Sequence, residues 1–141
     1  LTSILGALAA TRFNATTATA PYQADQLARN IRHMQILAMS WGQSLRLTAA
    51  GTSYNVACVN AGAAPCNVSP VIDPATGAPF SVTLSNNVTI SGAATDINSL
   101  GTPVAAGSAL NTNRSFTLSA NAETWTVTIL PITGFVTVTT P

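Results

Sequence analysis

His33 is the only histidine in the chain, and few residues could make it chemically active. A nucleophilic triad would need Ser40 or another serine, with Asp25, Asp73 or Asp96, to converge on it. No nucleophile-elbow glycine pattern surrounds any serine, so the expected role of His33 is helix-surface or packing. The acids at 25, 73, 96 and 123 are too scattered to form a paired-carboxylate acid and base, and no glycine-rich phosphate loop is present. Asp73 and Asp96 with nearby carbonyls offer fewer carboxylates than a calcium cage usually takes. These residues predict a non-enzymatic protein with no catalytic residues, no metal and no cofactor.

Cys58 and Cys66 are the only cysteines, and the segment between them contains Gly62 and Pro65. A disulfide closing this short turn is the expected arrangement, contributing about 2 kcal/mol and implying an oxidising compartment. A free thiol pair, or half of a metal site completed by His33, are the alternatives. Four matches to the N-glycosylation pattern begin at Asn14, Asn67, Asn87 and Asn113, and chance explains them in a chain so rich in Asn and Thr.

Charge is scarce. Only 6% of the 141 residues are charged, all the basic ones are arginine, and the net charge is +1. Copies of such a chain repel one another little, which permits self-association. Arg29, Arg32 and Arg46 fall close enough to share a helix neighbourhood, but three arginines do not make the clustered basic surface that nucleic acid requires.

The elements that must position these groups follow from hydropathy. Leu27, Ile31, Met34, Ala38, Trp41 and Leu45 step 4, 3, 4, 3, 4, the spacing of an amphipathic helix. The pattern predicts a helix over 22–47, about 39 Å long, that stops at Gly51. Upstream, Ile4-Leu5-Gly6-Ala7-Leu8-Ala9-Ala10 has no polar side chain, yet is too short to span a bilayer. Its Ala7-Leu8-Ala9 is also similar to the end of a secretory signal. Pro21 marks a kink or short break between the two parts. After Gly51 the period becomes two. Strands are expected at 54–59, 80–84 and 88–90, the last two forming a hairpin about Ser85-Asn86-Asn87, and a long surface loop at 92–112. Three further strands follow at 114–119, 124–130 and 135–139, where Trp125, Val127 and Ile129 alternate with threonines. One helix followed by a run of strands predicts an α+β domain, a long N-terminal helix packed on an antiparallel sheet. Its core should hold Leu27, Ile31, Met34, Trp41, Leu45, Trp125, Val127 and Ile129, with Trp41 meeting Trp125 or Ile129.

This arrangement resembles the type IV pilin family and its pseudopilin relatives. The residues that carry the resemblance are Ile4–Ala10 with Arg12-Phe13, similar to the end of the pilin hydrophobic segment, and 24–33 with 35–47, similar to the second helical half in minor pilins of the mannose-sensitive haemagglutinin type. The turn at Thr133-Gly134 is similar to the one before the last pilin strand. The methylated Phe and the fifth-position Glu of mature pilins have no counterpart, so the resemblance implies several further residues ahead of Leu1. It implies an assembly segment at 1–21, packing through Ile4, Leu5, Ala7, Leu8, Ala9 and Ala10, and a head at 22–141. The implied function is that of a structural filament subunit, held in the inner membrane before assembly and then extracellular, whose partners are its own copies or other pilins. Alternatives within the resemblance are an adhesion or DNA-binding minor pilin and a type II secretion pseudopilin.

Overall fold

Helix α1 (Thr19–Trp41) realises the apolar stripe as far as Trp41. The computed structural model describes residues 19–105 and 108–141, so the expectations placed on Ile4, Leu5, Ala7, Leu8, Ala9 and Ala10 lie outside the described residues. Pro21 is the third residue of the described helix. Among the described residues no helix is long and apolar enough to cross a membrane.

The helix stops well short of the expected Leu47. Gly42 takes φ +63° and the Gln43 amide donates back to the Ala38 carbonyl at 3.1 Å. This is the left-handed glycine stop with a six-to-one closing bond, available to any chain with Gly just beyond the last turn. Leu45 is fully buried, as the helical stripe would have it, but it is buried from strand β1 (Leu45–Ala50), where Leu45 and Leu47 point inward and Arg46 and Thr48 outward. A period of two had already begun where a period of 3.6 was expected.

Strand β1 turns at Gly51-Thr52 into β2 (Ser53–Cys58), in a register that sets Ala50 against Ser53 and Leu45 against Cys58. The remaining strands are β3 (Ser81–Thr83), β4 (Thr89–Ser91), β5 (Thr95–Ile97), β6 (Pro103–Ala105), β7 (Ser108–Ala109), β8 (Arg114–Ala120), β9 (Glu123–Ile129) and β10 (Val136–Thr139). They form two antiparallel sheets, β3-β2-β1-β5-β6-β7 and β10-β9-β8-β4. Helix α1 packs on β8, β9 and β10 of the second sheet and on β1 and β5 of the first.

Two expectations about the middle of the chain are corrected. The segments at 80–84 and 88–90 do not form a hairpin, because β3 pairs with β2 and β4 pairs with β8, in different sheets. Gln23 of α1 explains the divergence. Its Oε1 accepts from the Ser85 amide at 2.9 Å and its Nε2 donates to the Ser85 carbonyl at 3.3 Å, so the chain is pinned to the helix where a hairpin would have closed. The stretch at 92–112 is not a long loop but carries β5, β6 and β7, and β5 pairs directly with β1. These strands are too short, and too rich in Ala, Thr and Pro, to show an apolar period.

The core lies between helix and sheets. Leu27, Ile31 and Met34 of α1 are buried together with Leu45, Ile97, Phe116, Val127 and Ile129 from both sheets. Each contributes about 1.5–3 kcal/mol by leaving water. Trp125 is buried in the same cluster, while Trp41, at the end of the helix, is half-buried against it.

Candidate assembly surface

Polar residues of α1 reach into the loops packed against it. His33 Nε2 lies 2.8 Å from Asp73 Oδ1, and its ring is tilted over Phe80 with centroids 5.8 Å apart. The same Asp73 oxygen accepts the Ala75 amide at 2.9 Å, holding the turn between β2 and β3. Ser40 stands exposed two helical turns beyond His33, so it does not complete a triad. Asp96 is taken by Arg46 through Nε at 2.7 Å and Nη2 at 3.0 Å, a pair that holds the arginine more firmly charged. Asp73 and Asp96 therefore have separate side-chain partners, His33 and Arg46, and among the described residues no three His, Cys, Asp or Glu side chains gather as a metal site.

Further contacts of this kind escaped the sequence reading, since their partners lie many residues away. Asn30 Nδ2 donates to the Tyr54 hydroxyl at 2.8 Å. Burial is the main cause that pushes the Tyr54 phenol up to about 12, with the Asn30 bond and the Arg29 charge acting against it. Folded Tyr54 thus holds its proton more tightly than an unfolded tyrosine, whose value is 10.0. Its contribution is intact below pH ~10 and lost as pH climbs from ~10 towards ~12. Chemical denaturation at stepped alkaline pH should show this loss, and Tyr54→Phe should remove most of its steepness. Beside this seam is a cleft of about 150 Å³ lined by Gln26, Asn30, Asp73, Thr76, Phe80 and Ser81, smaller than the pockets that enclose drug-sized ligands.

Cys58, at the end of β2, is bonded to Cys66 with Cα atoms 5.5 Å apart. The turn it closes is also held by the Cys66 amide donating to the Ala63 carbonyl at 2.9 Å. Neither thiol is free, so the alternatives of a thiol pair or a half metal site fall away. Reduction should lower the unfolding free energy by about 2 kcal/mol, read as a shifted urea midpoint with and without reductant.

The arginines do not share one helix neighbourhood. Arg29 and Arg32 are on α1, but Arg46 is on β1, paired across to β5. Arg29 lies over the Tyr22 ring at 5.6 Å, and Arg32 Nη2 donates to the Val136 carbonyl at 3.0 Å on the edge strand β10.

An apolar surface lies at the far end of the helix. Gln35 Nε2 donates to the Gly134 carbonyl at 2.6 Å and approaches the Gly101 carbonyl at 3.5 Å, so the β5–β6 and β9–β10 turns meet over the helix. A Cβ on Gly101 would lie 3.2 Å from Met39 Sδ, which places Met39 against the same junction. Around it Ile36, Met39, Leu100, Ile132 and Phe135 stand exposed. Ile132 has φ 69°, a left-handed backbone that a β-branched residue rarely takes.

No protein-family model and no curated protein sequence matches the chain. The fold is similar to that of the minor pseudopilin EpsH from the type 2 secretion system of Vibrio cholerae. The TM-score is 0.58 at 11% identity, over 87% of this chain and 98% of that one. The shared feature is the α+β architecture, a helix at the N-terminal end packed on antiparallel sheets.

Proposed function

We propose that this chain is a structural subunit of a type IV pilus-like filament, with residues 1–21 as the assembly segment and 22–141 as the head. The observation that carries the reading is the likeness in fold to a minor pseudopilin along nearly that protein's whole length. Three features of the chain support it. The segment Ile4–Ala10 has no polar side chain and precedes α1, charge is only 6% of the residues, and the Cys58–Cys66 disulfide suits an oxidising compartment. The filament is extracellular in this reading, its subunits being held in the inner membrane before assembly. A secretion pseudopilus is the second form of the same proposal, favoured by the origin of the similar structure. Kinship with minor pilins of the mannose-sensitive haemagglutinin type, and an adhesive role, rest on the sequence resemblance alone.

The test is incorporation. Sheared surface filaments and the periplasmic pseudopilus fraction should contain the chain, and a charge inside the apolar segment, Leu8→Arg, should exclude it. Removal of residues 1–13 should meanwhile leave a folded, monomeric head, read by circular dichroism and sedimentation. Normal incorporation of Leu8→Arg, or absence of the chain from both fractions, would sink the proposal.

A further inference from the structure

We propose that Arg114 of one copy of this chain pairs with Glu123 of the next, so that the β8–β9 hairpins of successive heads meet end to end. The inference rests on the filament reading and deepens it by naming both sides of one contact between heads.

The charges are few enough to be accounted for singly. Arg46 holds Asp96 through two bonds, His33 lies 2.8 Å from Asp73, and Arg32 is occupied by the Val136 carbonyl. Arg29 lies over the Tyr22 ring and follows Asp25 by one helical turn, close enough for each charge to offset the other. Arg114 and Glu123 are left, and among the described residues neither has a side-chain partner. One is a cation and the other an anion.

Arg114 is the stronger observation. It opens β8 on the same row as Phe116 and Leu118, which are fully buried, and is itself half-buried. Its Nε is buried and has no hydrogen-bond partner. Buried donors are nearly always satisfied within a fold, so an orphan on an arginine points to an acceptor that the single chain does not hold. The acceptor that best fits the fork of guanidinium N–H groups is a carboxylate.

Glu123 is such a carboxylate, exposed at the start of β9 on the row of Trp125, Val127 and Ile129. It stands opposite Ala120, whereas Arg114 stands opposite Ile129. The seven residues of β8 put the two charges about 20 Å apart. They cannot meet within one chain.

Geometry selects unlike ends of two copies. Both charges terminate the row that faces the core under α1, so a partner reaches them from the ends of the hairpin and not across its face. Like ends would set Arg114 against Arg114, or Glu123 against Glu123, and repel. Beyond Ile129 the chain enters the turn that exposes Ile132 and Phe135, an apolar border that shields a pair formed at Arg114 from water. With only 6% of residues charged, one such pair meets little competition in fixing which surfaces align. A contact that joins two different surfaces is heterologous, and repeated from copy to copy it grows an open filament instead of closing a dimer.

The experiment uses the full chain and reads the assembled fraction by sedimentation. Glu123→Arg, at an exposed position, should keep the thermal midpoint and lower the assembled fraction about tenfold. Arg114→Met keeps the apolar stem and removes the orphan N–H, so it should fold at least as well as the unaltered chain while assembling less. A chain carrying both Arg114→Glu and Glu123→Arg restores the pair between copies and should recover assembly, as should an equal mixture of the two single reversals. On oxidation, a mixture of Arg114→Cys and Glu123→Cys chains should give the mixed crosslinked pair. Crosslinks only between like cysteines would overturn the proposal in favour of contact between like ends. If the unaltered chain assembles and Glu123→Arg assembles equally well, or if the folded double reversal recovers nothing, this inference fails and the filament reading stands. If the unaltered chain does not assemble, both fail.

Discussion

Phe116→Ala is expected to lower the unfolding free energy by about 3–5 kcal/mol and the thermal midpoint by about 10 °C or more. Phe116 is fully buried on the inward row of β8, set against Val127 in β9. What distinguishes it from other core residues is the backbone at Gly92, just beyond β4. A Cβ on Gly92 would lie 2.6 Å from the Phe116 ring and 2.9 Å from the Ser115 carbonyl, with φ +152°. The ring therefore lies directly against backbone that continues from the paired strand β4, and such backbone has little freedom to collapse into the space a truncation leaves. Phe116→Leu should cost much less, because it keeps most of the volume. Urea unfolding of both variants checks the order. Equal losses would mean that the site relaxes freely, against the close approach at Gly92.

The parts of this fold legible in the sequence are those where an apolar period runs long enough to be counted. The stripe from Leu27 to Trp41 spans four turns, and Trp125, Val127 and Ile129 alternate over a strand of seven residues. Both are recognisable because each repeat confirms the one before. The helix end was misplaced because Leu45 satisfies both periods, falling four residues after Trp41 and two before Leu47. Gly42 was the deciding signal, as the residue that can close the last turn with positive φ. The crossing from β3 to β4 had no such local signal, since Gln23 and Ser85 are 62 residues apart. The exposed patch is hidden for the same reason. Ile36 and Met39 lie off the buried stripe, Leu100 sits in a segment with little apolar bulk, and Ile132 and Phe135 flank a turn. Only the tertiary fold brings them to one place, whereas the disulfide was legible because its partners are close in sequence.

Gly134→Val is expected to cost about 3 kcal/mol, the sum of about 1–2 kcal/mol for left-handed backbone and a clash that must be relieved by movement. A Cβ here would lie 2.6 Å from Gln35 Nε2 and 2.8 Å from the Gly101 carbonyl. The Gln35 amide can swing away, but it then loses its bond to the Gly134 carbonyl, and the Gly101 oxygen belongs to backbone that can yield only by opening the β5–β6 turn. Gln35→Ala alone removes the bridge without the clash and should cost about 1 kcal/mol. In the double variant the vacated amide leaves room for part of the valine, so the two losses should sum to less than their separate values. Strict additivity in urea unfolding would show that Gln35 is not the group obstructing position 134.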